Sequence, residues 1–296
     1  MPLKKLLLLI ALIPVAILIY SFLKDSAATE LKILNTAITL SSNLKVEKQV
    51  VFDTNKNLKL DIYSSKDWKA GVKRSVLVFF YGGGWSWGDK DYFTFVADSF
   101  VKKGYLVVIS NYTLYPTATY PEFVKDGAKA IAWVNRHITE HGGDNDNLFV
   151  AGHSAGAYIA VMVAFNDQYL AAEDQPTSII KAVAGIAGPY NFTPKEQQYI
   201  DIFGEENFND MRIENHLNGN EPPALLIHSE GDTTVGLFNQ KLMEEALTAN
   251  GGTVETLVYG QDITHIKVLM KLHPWFANEV NVGSDIDAFF KGVKNK

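Results

Sequence analysis

The stretch Gly152-His153-Ser154-Ala155-Gly156 follows an apolar run at 148–151 and precedes a helix-compatible apolar run at 158–164. That order reads as strand, sharp turn, helix. In this setting a G-x-S-x-G sequence forms a strained elbow that lifts the serine into the open. The glycines are required because the backbone must pass close to its neighbours where a Cβ would obstruct it. The serine then stands at a helix N-terminus, where backbone N–H groups favour developing negative charge.

The elbow is one of a series of strand signals. Residues 46–52 and 58–63 read as an antiparallel pair joined by a polar turn at 53–57. Continuous apolar runs at 76–80, 105–110, 148–151, 182–186 and 224–228 have the character of buried parallel strands, and 254–259 adds a last one. Helical segments at 93–102, 121–140 and 240–249 separate them. A further helix is expected at 275–290, with a break near Gly283. The alternation predicts an α/β fold with a mostly parallel, doubly wound sheet of about eight strands and helices on both faces. Residues 189–222 interrupt it. They are polar and irregular, and suit either a small lid at the strand ends or a crossover with one helix at 195–203.

The N-terminus has a different character. Lys4-Lys5 precedes a nearly uninterrupted apolar run from Leu6 to Leu23. At about 18 residues it approaches the length that spans a bilayer. Residues 1–28 therefore read as an uncleaved membrane anchor or as a signal cleaved after Ala28. Both leave the lysines in the cytoplasm and export the body, to the periplasm or another extracytoplasmic space. Residues 29–45 form a connecting segment with apolar positions Leu31, Leu34 and Ile38 at helical spacing, and 46–296 is the main domain. The net charge of the chain is −6, which argues against nucleic acid as a partner. There are no cysteines, which excludes disulfides, thiolate metal sites and a cysteine nucleophile. The sequence does not fix an oligomeric state.

A serine nucleophile needs a base within hydrogen-bond reach and an acid to orient that base. On a doubly wound sheet bearing such an elbow, the chain order is serine, acid, histidine. Asp232 lies in the turn after the strand at 224–228, and His265 lies in the loop after the last strand. Glu230 sits nearer its strand end than Asp232 does. His273, next to Pro274, reads as a surface residue, as do His137, His141 and His216. His153 is expected to pack beside the site, and His228 ends a buried strand. Tyr81-Gly82-Gly83-Gly84-Trp85 follows the strand at 76–80. Its glycines let successive N–H groups converge on one point, and the N–H of Ala155 supplies a second source of oxyanion donors. Trp85, Trp87 and Tyr190 suit either an apolar substrate wall or the ordinary core. Residues 143–146 read as a helix-to-strand turn, since they lack the closing glutamate of a calcium loop.

These motifs together resemble the α/β-hydrolase superfamily, in particular the carboxylesterases related to hormone-sensitive lipase and their kynurenine-formamidase-like bacterial branch. The resemblance rests on Leu60-Asp61-Ile62-Tyr63, on Tyr81 to Trp85 with Gly88, and on Tyr115-Pro116 with Tyr120-Pro121. It continues through Asp126, Gly142-Gly143-Asp144, Gly152 to Gly156, Gly231-Asp232 with Val235, and His265. It spans about residues 50–270. It implies a Ser154-Asp232-His265 triad, oxyanion donors at Gly83, Gly84 and Ala155 with Gly82 beside them, and no metal or organic cofactor. Two positions depart from the family pattern: Tyr81 stands where histidine is usual, and Thr264 stands where glycine usually precedes the histidine. The expected activity is hydrolysis of small or short-acyl carboxylic esters. An aryl-formamidase-like amidohydrolase is the enzymatic alternative, and an inactive binding module is the non-enzymatic one.

Overall fold

The computed structural model describes residues 26–294, with side chains from residue 31. The apolar run at 6–23 lies outside the described residues. The eight strands are β1 (Leu44–Asp53), β2 (Leu58–Ser65), β3 (Arg74–Phe80), β4 (Leu106–Ser110), β5 (Gly143–His153), β6 (Ile180–Ile186), β7 (Ala224–Ser229) and β8 (Val254–Tyr259). They form one sheet in the order β1-β2-β4-β3-β5-β6-β7-β8. The β1–β2 and β2–β4 pairs are antiparallel, and the other pairs are parallel. The interior strands are Val-, Ile-, Leu- and Phe-rich because both of their faces are covered.

Two groups of helices cover the sheet. The first is α1 (Ser26–Ser41), α2 (Thr94–Lys102) and, last in the chain, α9 (Val282–Lys294); α2 contacts both of the others. The second is α3 (Glu122–His137), α4 (Ala155–Phe165) and α5 (Asp167–Ala171), which contact one another. The remaining helices are α6 (Gln197–Phe203), α7 (Phe238–Ala249) and α8 (His265–Met270). Every residue of α4 is buried. A helix apolar all round belongs in the interior, and α4 packs on β5 and β6 directly behind the elbow. In α1, Leu31, Leu34 and Ile38 are buried at helical spacing, as the sequence predicts, but the helix ends at Ser41 and β1 begins at Leu44.

Three segments differ from expectation. Residues 275–281 are not helical. The Asn281 side chain accepts the Ser284 N–H at 2.9 Å and caps α9 there. Gly283 is no break: it sits in the first turn of α9, where a Cβ would come within 2.4 Å of the Leu272 carbonyl. Residues 143–146 lie inside β5. The strand pairs with β3 at Gly143 and Asp144 and resumes at Leu148, so the extra residues form a bulge. Asp144 accepts the side-chain amide of Asn147 across it at 2.7 Å.

Asp53 organises the β1–β2 hairpin. Its Oδ1 accepts the N–H groups of Asn55 and Lys56 at 2.9 and 3.1 Å, and its Oδ2 meets Lys129 Nζ of α3 at 2.7 Å. Burial pushes this carboxyl up, but the bonds from Lys129, Lys56 and Asn55 outweigh that and hold it below its ordinary pKa. A depressed folded-state pKa stabilises the fold above the unfolded value and is lost as pH falls through the folded value. Asp53→Ala is therefore expected to destabilise the protein by about 1–3 kcal/mol at neutral pH. The gap to the parent should shrink as the medium is acidified below about pH 4, which urea unfolding at a series of pH values checks.

Candidate active site

Ser154 occupies the junction of β5 and α4 with φ 55° and ψ −124°, a conformation that side-chain-bearing residues rarely adopt. Its N–H donates to the Ile186 carbonyl at 2.8 Å, which ties the elbow to β6. The flanking glycines are obligatory. A Cβ on Gly152 would lie 2.2 Å from the Gly156 carbonyl oxygen, and one on Gly156 would lie 2.1 Å from that of Phe80.

Asp232 lies just past the C-terminal end of β7 and is buried. Its Oδ1 accepts the N–H groups of Thr234 and Val235 at 2.8 and 2.9 Å, and its Oδ2 accepts His265 Nδ1 at 2.7 Å. Burial pushes the carboxyl up. The hydrogen bond and charge of His265, with the two backbone donors, outweigh burial and hold it below the ordinary carboxylate range. His265 opens α8, and Thr264 caps that helix by accepting the Lys267 N–H at 3.4 Å. The Nδ1–H to Asp232 bond leaves Nε2 of His265 as the free nitrogen. Ser154 and His265 line the same cavity. No hydrogen bond joins Ser154 Oγ to His265 in this conformation.

Two further histidines flank this pair. His153 Nε2 donates to the His265 carbonyl at 2.9 Å, so the loop carrying His265 is held through its backbone as well as its ring. Burial, reinforced by repulsion from His265, lowers the pKa of His153 to about 3, so it stays neutral. His228 accepts the Ser229 N–H on Nδ1 at 2.9 Å, and its Nε2 lies 4.0 Å from Asp232 Oδ2. Sequence placed His153 beside the site and His228 at the end of a buried strand, and gave neither a partner. His273 is a correction. It is fully buried, with Nε2 2.9 Å from Asp98 on α2. The partner is far away in the chain, and no local pattern announces it. Glu230 is exposed and takes no part in the network.

The glycine loop after β3 closes the site. A Cβ on Gly82 would lie 2.8 Å from Ser154 Cβ, so this glycine lets the loop reach the serine. Gly83 and Gly84 have φ 137° and 57°. The Gly83 carbonyl turns away to accept the N–H groups of Ser86 and Trp87 at 3.2 and 3.0 Å. The N–H groups of Gly83 and Gly84 have no acceptor among the described residues. Ala155 is the first residue of α4, where an N–H has no intrahelical partner. Tyr81 braces this loop. Its ring stacks between Phe93 and Tyr112, with centroids 5.2 and 4.8 Å away, and its hydroxyl donates to Asn111 Oδ1 at 3.1 Å. Asn111 also accepts the Lys90 N–H at 2.8 Å and donates to Asp89 at 3.0 Å, and the Tyr112 hydroxyl donates to the Tyr81 carbonyl at 3.0 Å.

Ser154 and His265 open into a cavity of about 830 Å³ whose walls include Trp85, Trp87, Phe192, Tyr199 and Leu269. Trp85 is buried against Phe203 and Phe192 while still facing the cavity. Tyr190 does not line it. Its ring fills the space beside Gly185 and Gly188, so it belongs to the core. The segment 189–222 carries α6 and two 3₁₀ turns, and supplies Pro189, residues 191–196, Tyr199 and Arg212 to the wall. Leu31 of α1 also lines the cavity, a contribution the sequence did not suggest. Among the described residues no three carboxylate or imidazole groups cluster closely enough to hold a metal ion.

The BD-FAE family model matches residues 60–247, which include the glycine loop, the elbow and the Asp232 turn. The chain belongs to the BD-FAE family. It is 26% identical over 284 residues to the probable isoprenylcysteine alpha-carbonyl methylesterase ICMEL1 of Arabidopsis thaliana, covering 85% of this chain and 59% of that one. It is 28% identical over 212 residues to esterase LipQ of Mycobacterium tuberculosis, covering 65% and 50%. The chain thus spans less than two thirds of the length of these relatives. Among solved structures, esterase 2 of Thermogutta terrifontis matches with a TM-score of 0.63 at 25% identity, covering 74% of this chain and 84% of that one. Esterase B of Lactobacillus rhamnosis matches with a TM-score of 0.75 at 16% identity, covering 94% and 95%, and shares the fold.

Asn111 touches neither Ser154 nor the cavity, yet it holds the hydroxyl that braces the glycine loop. Asn111→Ala is expected to slow phosphonylation of Ser154 by a fluorophosphonate about tenfold to a hundredfold, short of the loss when an oxyanion donor itself is removed. Labelling rates measured beside a thermal melt separate this effect from unfolding.

Proposed function

We propose that this protein is a serine carboxylic-ester hydrolase acting through Ser154, His265 and Asp232. The observation that carries the reading is the 2.7 Å Asp232–His265 bond beside an elbow serine that lines the same cavity. Esterases among the relatives and structural neighbours support the reaction class.

In this reading Ser154 Oγ attacks the ester carbonyl carbon while His265 Nε2 takes the hydroxyl proton. Asp232 stabilises the resulting imidazolium and fixes its tautomer. The carbonyl oxygen becomes an oxyanion held by the N–H groups of Gly83, Gly84 and Ala155, with Gly82 alongside. Collapse of the tetrahedral intermediate breaks the bond to the alcohol oxygen, which leaves with the proton from His265. Water, deprotonated by His265, then attacks the acyl-enzyme, and a second collapse releases the acid and restores the Ser154 hydroxyl.

The insertion at 189–222 acts as a fixed wall with a partial lid. A cavity of about 830 Å³ falls within the range that holds drug-sized ligands. The apolar group it takes therefore extends beyond the short acyl chains expected from the sequence. The basic-then-apolar N-terminus supports an exported body, tethered or released.

The full chain is expected to hydrolyse p-nitrophenyl acetate and p-nitrophenyl octanoate, and Ser154→Ala to abolish both. Asp232→Asn should retain the fold and lose about four orders of magnitude in kcat, because the wrong imidazole tautomer is then held. Activity persisting in Ser154→Ala would sink the mechanism. An acetate rate far above the octanoate rate would restore the short-acyl expectation.

A further inference from the structure

Three large apolar side chains at the cavity stand in the open. Phe238, Leu242 and Trp87 are 52%, 39% and 39% exposed, and all three belong to the cavity lining. The first two lie one turn apart on α7, and Trp87 follows the glycine loop. An exposed apolar rim around a site marks a surface that meets another apolar phase.

The N-terminal helix meets the same mouth. Leu31 of α1 reaches into the cavity. Next to it, Lys32 Nζ lies 5.0 Å over the Tyr92 ring, and Tyr92 stacks on Trp87 at 5.6 Å. The outer face of α1 carries Ile33 and Leu40, seven residues apart and 56% and 83% exposed. Eight residues before Leu31 the apolar run of 6–23 ends. Even a fully extended chain of that length spans only about 28 Å, which limits how far the run can lie from the wall of the cavity.

What the run can do narrows the occupant. It has no polar face along 6–23. A segment that merely covered the mouth would turn half of its apolar surface to water. A run of this length and uniformity is satisfied by an apolar medium on all sides, as a bilayer provides.

We infer that the cavity mouth rests on the lipid bilayer entered by residues 6–23, so that Ser154 receives esters dissolved in that bilayer. Trp87 sits at the depth where aromatic side chains favour the membrane interface. Ile33 and Leu40 make α1 an interfacial helix, with Lys32 beside them for the head groups. The substrate class is an amphiphilic ester whose apolar part reaches the cavity without crossing water. This rests on the ester-hydrolase reading only for the chemistry; the docking stands apart from it.

The experiment uses the full chain reconstituted in phosphatidylcholine vesicles. One ester, p-nitrophenyl dodecanoate, is dissolved in the bilayer, and p-nitrophenyl acetate is supplied from water. The double variant Ile33→Ser/Leu40→Ser lies outside the cavity and should leave the acetate rate unchanged. It is expected to lower the dodecanoate rate about fivefold or more, since two buried apolar contacts with lipid are lost. Equal dodecanoate rates in parent and variant would overturn the inference. Docking is read without catalysis by quenching of tryptophan emission with brominated lipid. Trp87→Phe should remove part of the quenching seen in the parent. Quenching identical in both proteins overturns the docking, and if cross-linking then joins two chains through the mouth, a second copy is the occupant. A parent whose Trp87 is quenched but that hydrolyses neither ester refutes the ester-hydrolase reading and leaves the docking intact.

Discussion

The site depends on how closely the backbone passes itself at the elbow. Ser154 is held at positive φ although it carries a Cβ, a local cost of about 1–3 kcal/mol. That cost is met by packing around it. The apolar helix α4 starts immediately after the serine and is buried along its whole length, so the turn cannot relax without exposing it. Gly156 lets α4 press against the Phe80 carbonyl, and Gly152 lets the strand pass beneath the first turn of the helix. The same close packing brings the end of β3 next to the end of β5, and so sets the glycine loop against the serine. A wider junction would separate Ser154 from the glycine loop.

The second constraint is electrostatic. Asp232 is a carboxylate held below its ordinary pKa in a buried place, which is unfavourable unless hydrogen bonds replace the lost hydration. Two backbone N–H groups and the His265 ring supply three such bonds. This requires the acid turn and the histidine loop to touch. Gly231 permits the contact, since a Cβ there would lie 2.2 Å from the Gln261 carbonyl oxygen. His153 then fixes the loop from the other side through the His265 carbonyl, and its depressed pKa keeps it neutral beside the His265 ring.

Those features were legible in sequence to the extent that they are local. The elbow, the runs of buried strand and the glycine loop each announce themselves within a few residues, and the mostly parallel character of the sheet follows from strands and helices alternating. Asp232 and His265 were legible because each follows a strand whose place in the sheet is fixed. What was not legible is contact across the chain. His273 looked like a surface residue beside a proline, but its partner is on α2, where the Ser99 hydroxyl also binds the Leu272 carbonyl. Tyr190 looked like a substrate wall because it follows a strand end, but the bare backbone of Gly185 and Gly188 draws its ring into the core. Leu31 had the spacing of a buried helical face, and nothing local said that the face was a cavity wall. The apparent helix at 275–281 failed for the opposite reason: a local cap at Asn281 overrides the apolar pattern before it.

Tyr81 joins these levels. Where the family resemblance leads to histidine, this chain has a phenol stacked between two aromatic rings, and the change has a consequence beyond shape. A histidine gains or loses a proton near neutrality, and with it a donor. Burial, assisted by the nearby Tyr112 and by the negative charge of Asp89, pushes the Tyr81 hydroxyl well above its ordinary pKa. It therefore remains a neutral donor to Asn111 across the whole working range. Asn111 in turn has no charge to lose. The Tyr81–Asn111 contact that braces the glycine loop is thus made between two groups that stay neutral.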